Sequence, residues 1–287
     1  MKYAWIDNHR DQYPVSRMCR VLAVSRSGYC QWRKREPSAR AQANEVLDRQ
    51  IARVHAASGR SYGRMRIVAS LRAQGVRVGG ERVRRSLGRQ QLRPVYRRPY
   101  VVTTDSAHRL PVAANLLDRR FTGWSPNKAW VADITYVPTA QGWLFLAAVM
   151  DLACRVIVGW AMSERIDAVL VCDALRMAYW RRRPSPGLLI HSDRGSQYAS
   201  RDHRDLTIEL GMTMSMSRKA NAWDNAVIES FFKTLKVERV HQVRYETRDQ
   251  ARLDLVNWIE GFYNRQRIHG AADMKPPIDR ERELLVA

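Results

Sequence analysis

A mixed α/β domain preceded by small all-α helix-turn-helix modules is the fold class these 287 residues predict. Three observations predict it. Residues 1–95 show apolar residues at helical spacing, broken by turn signals. From residue 129 the texture changes to strands and helices in the order βββ-α-β-α-β-α. The charge changes at the same place. Residues 1–130 hold 27 of the 49 Lys+Arg and 8 of the 28 Asp+Glu, so +19 of the net charge of +21 lies there.

Val15, Met18, Val21 and Leu22 have helical spacing, and Ser25 is placed to cap a second helix carrying Tyr29 and Trp32. The pair reads equally as a helix-turn-helix or a plain helical hairpin. A polar, Ala-rich helix follows over about 38–57, with Leu47, Ile51 and Val54 on one face. Tyr62 to Leu71, a break at Gly75, and a helix around Val83 to Leu87 make a second helix-turn-helix candidate. Arg64, Arg66, Arg82 and Arg85 are its candidate DNA-binding residues. A run of charge is usually a solvated face. Two tandem helix pairs inside so basic a segment favour a nucleic-acid interface. The expected division is 1–57, 58–95, and a basic linker over 96–128 that lies on phosphates.

Residues 129–243 form the expected core domain and 244–287 a C-terminal helix and tail. Trp130 to Val137, Trp143 to Ala153 and Val156 to Ser163 read as an antiparallel meander, turning at Gln141-Gly142 and Cys154-Arg155. Ala168 to Trp180 is a helix, Leu188 to Asp193 a strand, 201–210 a helix and Met212 to Ser217 a strand. Asp224 to Val240 is a long helix, and 247–265 adds an amphipathic one.

At 45% hydrophobic the chain can build a sizeable core. Its longest apolar stretch, Trp143 to Met150, stops at Asp151, far short of the ~20 residues of a membrane span. Residues 1–7 lack an apolar signal core. No membrane is expected, and the chain reads as cytoplasmic. Cys19, Cys30, Cys154 and Cys172 form no Cys-x-x-Cys pair, so neither a disulfide scaffold nor a structural zinc site is expected.

Three carboxylates stand where an acid has no structural reason to be. Asp133 interrupts the first strand, Asp193 ends the fourth, and Glu229 lies on the long helix. The element order lets all three converge at one end of the sheet. Together they would resist ionisation unless hard divalent cations joined them. Two metals held by shared carboxylates serve phosphoryl transfer. Asn225 lies one turn before Glu229, and His191 precedes Asp193 by two residues; both read as supporting groups. A satisfied strand-end histidine is at least as good a reading of His191. Trp130 and Trp223 read as packing residues rather than base-stacking ones.

The stretches Trp130–Tyr136, His191–Tyr198 and Asp224–Lys236 resemble one family. It is that of the bacterial insertion-sequence transposases of the second-reading-frame (OrfB) type in the IS-three group, whose catalytic domain is like that of retroviral integrases. Asp193 and Glu229 are separated by 35 residues, the spacing of the family's Asp-Asp-35-Glu signature. Lys236 falls seven residues after Glu229, where the family keeps Lys or Arg. Tyr263 to His269 resembles its Tyr-Asn-x-x-Arg-x-His motif, and Met18–Tyr29 and Tyr62–Ile67 also match. Cys30, Gly270 and Lys275-Pro276-Pro277 depart from the family's usual residues.

The resemblance implies an RNase H-like core in which Asp133, Asp193 and Glu229 bind two Mg²⁺ ions, with Mn²⁺ able to substitute. It implies cleavage at the element's ends, strand joining through the freed 3′-hydroxyl, and a circular intermediate. Lys236 and Arg194 would hold phosphate or flanking DNA. The implied partners are double-stranded terminal inverted repeats, target DNA, and further copies of the chain on DNA, at least a dimer, at the nucleoid. The family's longer frameshift product adds an upstream helix-turn-helix and zipper. A catalytically decayed DNA-binding repressor and a non-transposing RNase H-like nuclease are the competing readings. Three intact acids oppose the first, and the 35-residue gap with the C-terminal motif opposes the second.

Overall fold

The computed structural model describes residues 1–95, 110–219 and 221–286. Helices α1 (Lys2–Asn8), α2 (Val15–Val21) and α3 (Arg26–Lys34) close on Ile6, Met18, Cys19 and Tyr29. Ser25 caps α3 as expected, accepting from the Gly28 amide at 2.9 Å. The unforeseen α1 buries only Ile6, too little apolar pattern to announce a helix. Tyr29 donates to Asp7 at 2.8 Å and ties it to α3.

Helices α4 (Ala39–Ala57), α5 (Arg64–Ala73) and α6 (Gly80–Arg89) share a second core of Leu47, Ile51, Val54, Ile67, Leu71, Val83 and Leu87. Asp48 of α4 accepts from Ser86 Oγ at 2.6 Å and Arg89 Nη2 at 2.7 Å of α6. The boundary expected at 57/58 therefore falls inside one packed unit. The apolar stripe of α4 finds its partner downstream, on α5 and α6.

Strands β1 (Ala129–Thr139), β2 (Gly142–Asp151) and β3 (Ile157–Ser163) form the expected meander. Helix α7 (Ala168–Arg182), strand β4 (Leu189–Ser192), helix α8 (Arg201–Glu209) and strand β5 (Thr213–Met216) follow. The five strands lie in the order β3-β2-β1-β4-β5, with β4 parallel to both β1 and β5. On one face Trp130, Ala132, Val158 and Ile190 pack with α7 and α8. Gly159 permits this: a Cβ there would meet the Ala174 carbonyl at 2.4 Å and the Ala178 amide at 2.6 Å.

Helix α9 (Ala226–Glu238) and helix α10 (Arg248–Val256) cover the other face. There Ala129, Val131, Val137 and Leu189 meet Ile228, Phe231, Leu235, Leu255, Trp258 and Tyr263. A π-helical segment, Asn257–Tyr263, carries α10 onward. The expected boundary at 243/244 thus cuts through one hydrophobic core. Helix α11 (Pro277–Val286) was expected only as tail. It returns to the α7 face, where Glu281 accepts from Arg182 at 2.6 Å.

The expected linker is mostly not free chain. Residues 96–109 lie outside the described residues. In 110–128, Leu117 is fully buried and the Leu116 and Leu117 amides donate to Ser215 Oγ at 2.9 and 3.2 Å. The α4–α6 unit also rests on the C-terminal segment. Ile268 joins its core, and the Ile268 amide donates to Tyr62 Oη at 2.7 Å. No helix among the described residues is long and apolar enough to cross a membrane.

Candidate active site

Ala132 and Ser192 are paired across the parallel strands β1 and β4. Asp133 and Asp193 are the next residue on each chain path, so they stand at matching positions at the C-terminal end of the pair. Ala129 and Val131 on β1, and Leu189 on β4, face α9 and α10. Strand alternation puts Asp133 on that face, and the matching register does the same for Asp193. Glu229 comes from the first turn of α9.

The three acids feel one another. Loss of hydration pushes the Asp133 carboxyl well above its usual range, and the charges of Asp193 and Glu229 push it further. Partial desolvation and the Asp193 charge raise Glu229 as well. The Ile134 amide donates to Asp133 Oδ1 at 2.8 Å, and the Gly195 amide to Asp193 Oδ1 at 2.9 Å. A Cβ on Gly195 would crowd Asp193 Oδ1 at 3.0 Å. Among the described residues, no three His, Cys, Asp or Glu side chains already stand at metal-ligand spacing.

The donor set fits hard divalent cations. It is all oxygen, and burial together with the neighbouring charges disfavours the ionised carboxyls unless a cation joins them. Two polar atoms beside it are buried without a partner, Asn225 Oδ1 and Tyr198 Oη. The charges of Asp133 and Asp193, with burial, raise the Tyr198 hydroxyl well above its usual range.

Lys236 Nζ lies over the Tyr136 ring, 4.0 Å from its centroid. Burial lowers its pKa and the Asp133 charge opposes that. Asn225 is buried and donates to the Ala132 carbonyl at 3.3 Å, pinning the approach to α9 against β1. Arg194 is half-buried just beyond Asp193.

His191 is not at the chemistry. It is fully buried between Ser215, 2.9 Å from Nδ1, and Ser217, 3.3 Å from Nε2. Ser215 Oγ already accepts two amides, so its hydroxyl proton goes to His191 Nδ1, and the ring carries its own proton on Nε2. Burial pushes its pKa down to about 4. The satisfied strand-end histidine is the reading the contacts support, since both ring nitrogens are engaged away from Asp193.

The arginines separate into two kinds. Arg64, Arg82 and Arg85 are exposed on the α4–α6 unit. Arg82 donates to Asn44 Oδ1 at 3.0 Å and Arg85 to Glu81 at 3.0 Å, contacts that surface water weakens. Arg66 is half-buried, 3.7 Å from Glu238 of α9, which also takes two bonds from the buried Arg267. Its guanidinium faces the protein, so Arg66 belongs to the seam between module and core rather than to an open basic face.

Two residues escaped the sequence reading. Asp224 is fully buried and accepts from Arg119, Arg218 and Asn115, which hold its carboxyl far below the usual range. It locks residues 115–119 to the turn before α9. Trp223 next to it is 72% exposed, contrary to the packing role expected. Trp130 does pack, being fully buried with Nε1 3.3 Å from Asp151. Nothing in sequence separates the two indoles. The Asp224 knot, a long-range contact, turns its neighbour outward.

Two integrase core domain models match residues 124–222 and 210–277, and an HTH-like domain model matches 41–100. The last agrees with α4–α6 as one unit. The transposase InsF for insertion sequence IS3A of Escherichia coli is 42% identical over 271 residues, covering 94% of this chain and 94% of that protein. The insertion element IS600 31 kDa protein of Shigella sonnei is 44% identical over 266 residues, covering 92% of this chain and 98% of that one. A chain of the simian T-cell lymphotropic virus intasome is more distant, at 16% identity and a TM-score of 0.47 over 80% of this chain and 74% of that one. Integrase core, HTH-like domain and near full-length identity agree: the chain belongs to the IS3-type insertion-sequence transposases, enzymes of DNA transposition.

Proposed function

We propose that this transposase cuts and joins DNA at insertion-sequence ends through Asp133, Asp193 and Glu229. The mutual electrostatic contact of three carboxylates at one end of the β1–β4 pair carries the reading. Bound there, two Mg²⁺ ions, replaceable by Mn²⁺, would supply Lewis-acid activation of the attacking oxygen and stabilise the leaving one.

The residues themselves do the following. Asp133 and Asp193 hold adjacent oxygens on the rigid sheet, and Glu229 completes the set from α9. Asn225 fixes the start of α9 against β1 and keeps a buried, unpartnered Oδ1 beside the acids. Lys236, seven residues after Glu229, offers its ammonium to a phosphate of the incoming strand. Arg194 does the same beside Asp193. Water attacks the phosphodiester at the element's end and the 3′-oxygen leaves with a proton. The resulting 3′-hydroxyl attacks a second phosphodiester and displaces its 3′-oxygen, so one bond forms for each broken. The exposed arginines Arg64, Arg82 and Arg85 hold the terminal repeats, and the working assembly is at least a dimer on DNA. An intact acid set opposes the repressor reading, and the 35-residue gap with the Tyr263–His269 motif opposes a simple nuclease.

Purified protein, Mg²⁺ and labelled duplexes carrying the element's ends test it. Joined strands with new phosphodiester linkages are expected. Cleavage without joining would sink the strand-transfer reading.

A further inference from the structure

We infer that Trp223 is a positioning residue that stacks on a nucleobase unstacked beside the phosphodiester held at the three carboxylates. The inference rests on the acid set assigned above and adds a contact on the DNA base to it.

Trp223 is 72% exposed, yet its neighbours Asp224 and Asn225 are 0% and 2% exposed. An indole is costly to leave in water, and Trp223 is the most exposed tryptophan among the described residues. The turn Ala222–Asn225 is a single 3-10 turn, with the Asn221 side chain accepting from the Trp223 amide at 3.2 Å. Asp224 is clamped by Arg218 through its backbone amide at 3.0 Å and its guanidinium at 2.8 and 2.9 Å, and by Arg119 at 2.9 Å. Asn225 is held to the Ala132 carbonyl, one residue before Asp133. The indole thus sits on a pinned turn, two residues before the Asn225 that holds the strand of Asp133.

The flank holds two arginines, both set against Asp224, and Arg218 also against the exposed Asp118 at 3.2 Å. Arg119 and Arg218 reach Asp224 with side chains still 45% and 48% exposed. Their outer faces suit a phosphate chain. An exposed planar aromatic group next to a carboxylate held by two part-exposed arginines suits a base-stacking contact. Reaching a phosphodiester inside a duplex also requires local opening, and an apolar wedge lowers the cost of an unstacked base. Exposure of the indole is the structural cost of offering that face.

The test uses the full chain and a duplex carrying the element's own end, with 2-aminopurine as the immediate neighbour of the base that the indole takes, so that the probe loses a stacking partner and brightens. Fluorescence is read in the Asp193→Asn background, so the signal does not depend on cleavage. Binding raises the 2-aminopurine signal when residue 223 is Trp, and Trp223→Phe keeps most of the rise. Trp223→Ala abolishes it while overall DNA affinity in a gel shift changes less than threefold, on the order of a 0.7 kcal/mol difference. In the otherwise wild-type chain, Trp223→Ala slows joining of fully paired ends roughly tenfold or more. Mismatches at the cleavage position restore it. An unchanged 2-aminopurine rise in Trp223→Ala overturns the proposal. So does a joining defect that mismatched ends do not relieve, which assigns the indole to a partner protomer instead. Failure of Asp193→Asn to block cleavage would sink the acid-set reading, and the fluorescence comparison would still stand on its own.

Discussion

Asp133 and Asp193 sit one residue beyond the paired Ala132 and Ser192, at matching positions on two parallel strands separated by 59 intervening residues of chain. The pairing forces two like charges together, so the site is destabilised on purpose relative to a neutral one. Asp133→Asn, Asp193→Asn and Glu229→Gln are each expected to lower joining by at least about a thousandfold with DNA binding nearly unchanged. Asp133→Asn carries a second signature. Removing its buried charge is expected to raise the melting temperature of metal-free protein and to erase the further rise on adding Mg²⁺. A variant that keeps the Mg²⁺-dependent rise would exclude Asp133 as a ligand.

The sheet and the acids were legible because both follow from short-range patterns. Alternation along Trp130–Val137 set the strand, and the acid that breaks it set the site. What stayed hidden depends on contacts distant in sequence. Asp224 reads as a helix-start acid until Arg119, 105 residues upstream, is seen on it. Tyr198 reads as core until its unpartnered hydroxyl is found near two carboxylates. His191 looked equally fit for catalysis and for packing, and two serines on and beyond β5 decide it. Arg66 reads in sequence like the exposed Arg64 two residues before it, but meets Glu238 across the chain.

That contrast between arginines is measurable. Arg82→Ala and Arg85→Ala are each expected to weaken end binding and to reduce the slope of log affinity against log salt by about 1. Arg66→Ala is expected to leave the slope alone and to cost roughly 1–3 kcal/mol of stability, because it removes a partner from the half-buried Glu238–Arg267 network. Equal salt-slope changes from Arg66 and Arg82 would show that Arg66 faces phosphate after all.

Three histidines make the fold acid-sensitive. His191, His203 and His269 are each pushed down to about 4, in every case mainly by burial. Folded, they stay neutral down to that pH; unfolded, they take up protons below about 6.5. The unfolded chain therefore binds more protons between those limits. Stability is full above about pH 6.5, falls as pH drops through the window, and levels off for these groups below their folded values. At pH 5 each contributes up to about 2 kcal/mol of loss. Melting temperature followed from pH 7.5 to 4.5 checks this. His191→Gln is expected to lower stability at pH 7.5 and to flatten the slope. A slope identical to that of the unsubstituted chain would mean His191 is charged in the folded state.

Joining two ends requires two phosphodiesters to be processed in one complex, and one chain offers a single acid set. The α4–α6 unit is docked on its own C-terminal segment through Tyr62, Ile268 and the Arg66–Glu238–Arg267 network. That docking holds the exposed arginines of the unit at a set position relative to the acids. Two protomers on paired ends are therefore expected to act together, with assembly weak until DNA is added. The test mixes an Asp193→Asn protein with one carrying Arg82→Ala and Arg85→Ala. Neither should join DNA efficiently alone. Recovery of joining in the mixture, to a sizeable fraction of the unsubstituted rate, would show that one protomer's acids act on DNA held by the other. No recovery at any ratio, together with a DNA complex whose mass contains one active chain, would show that each end is bound and cut by the same protomer.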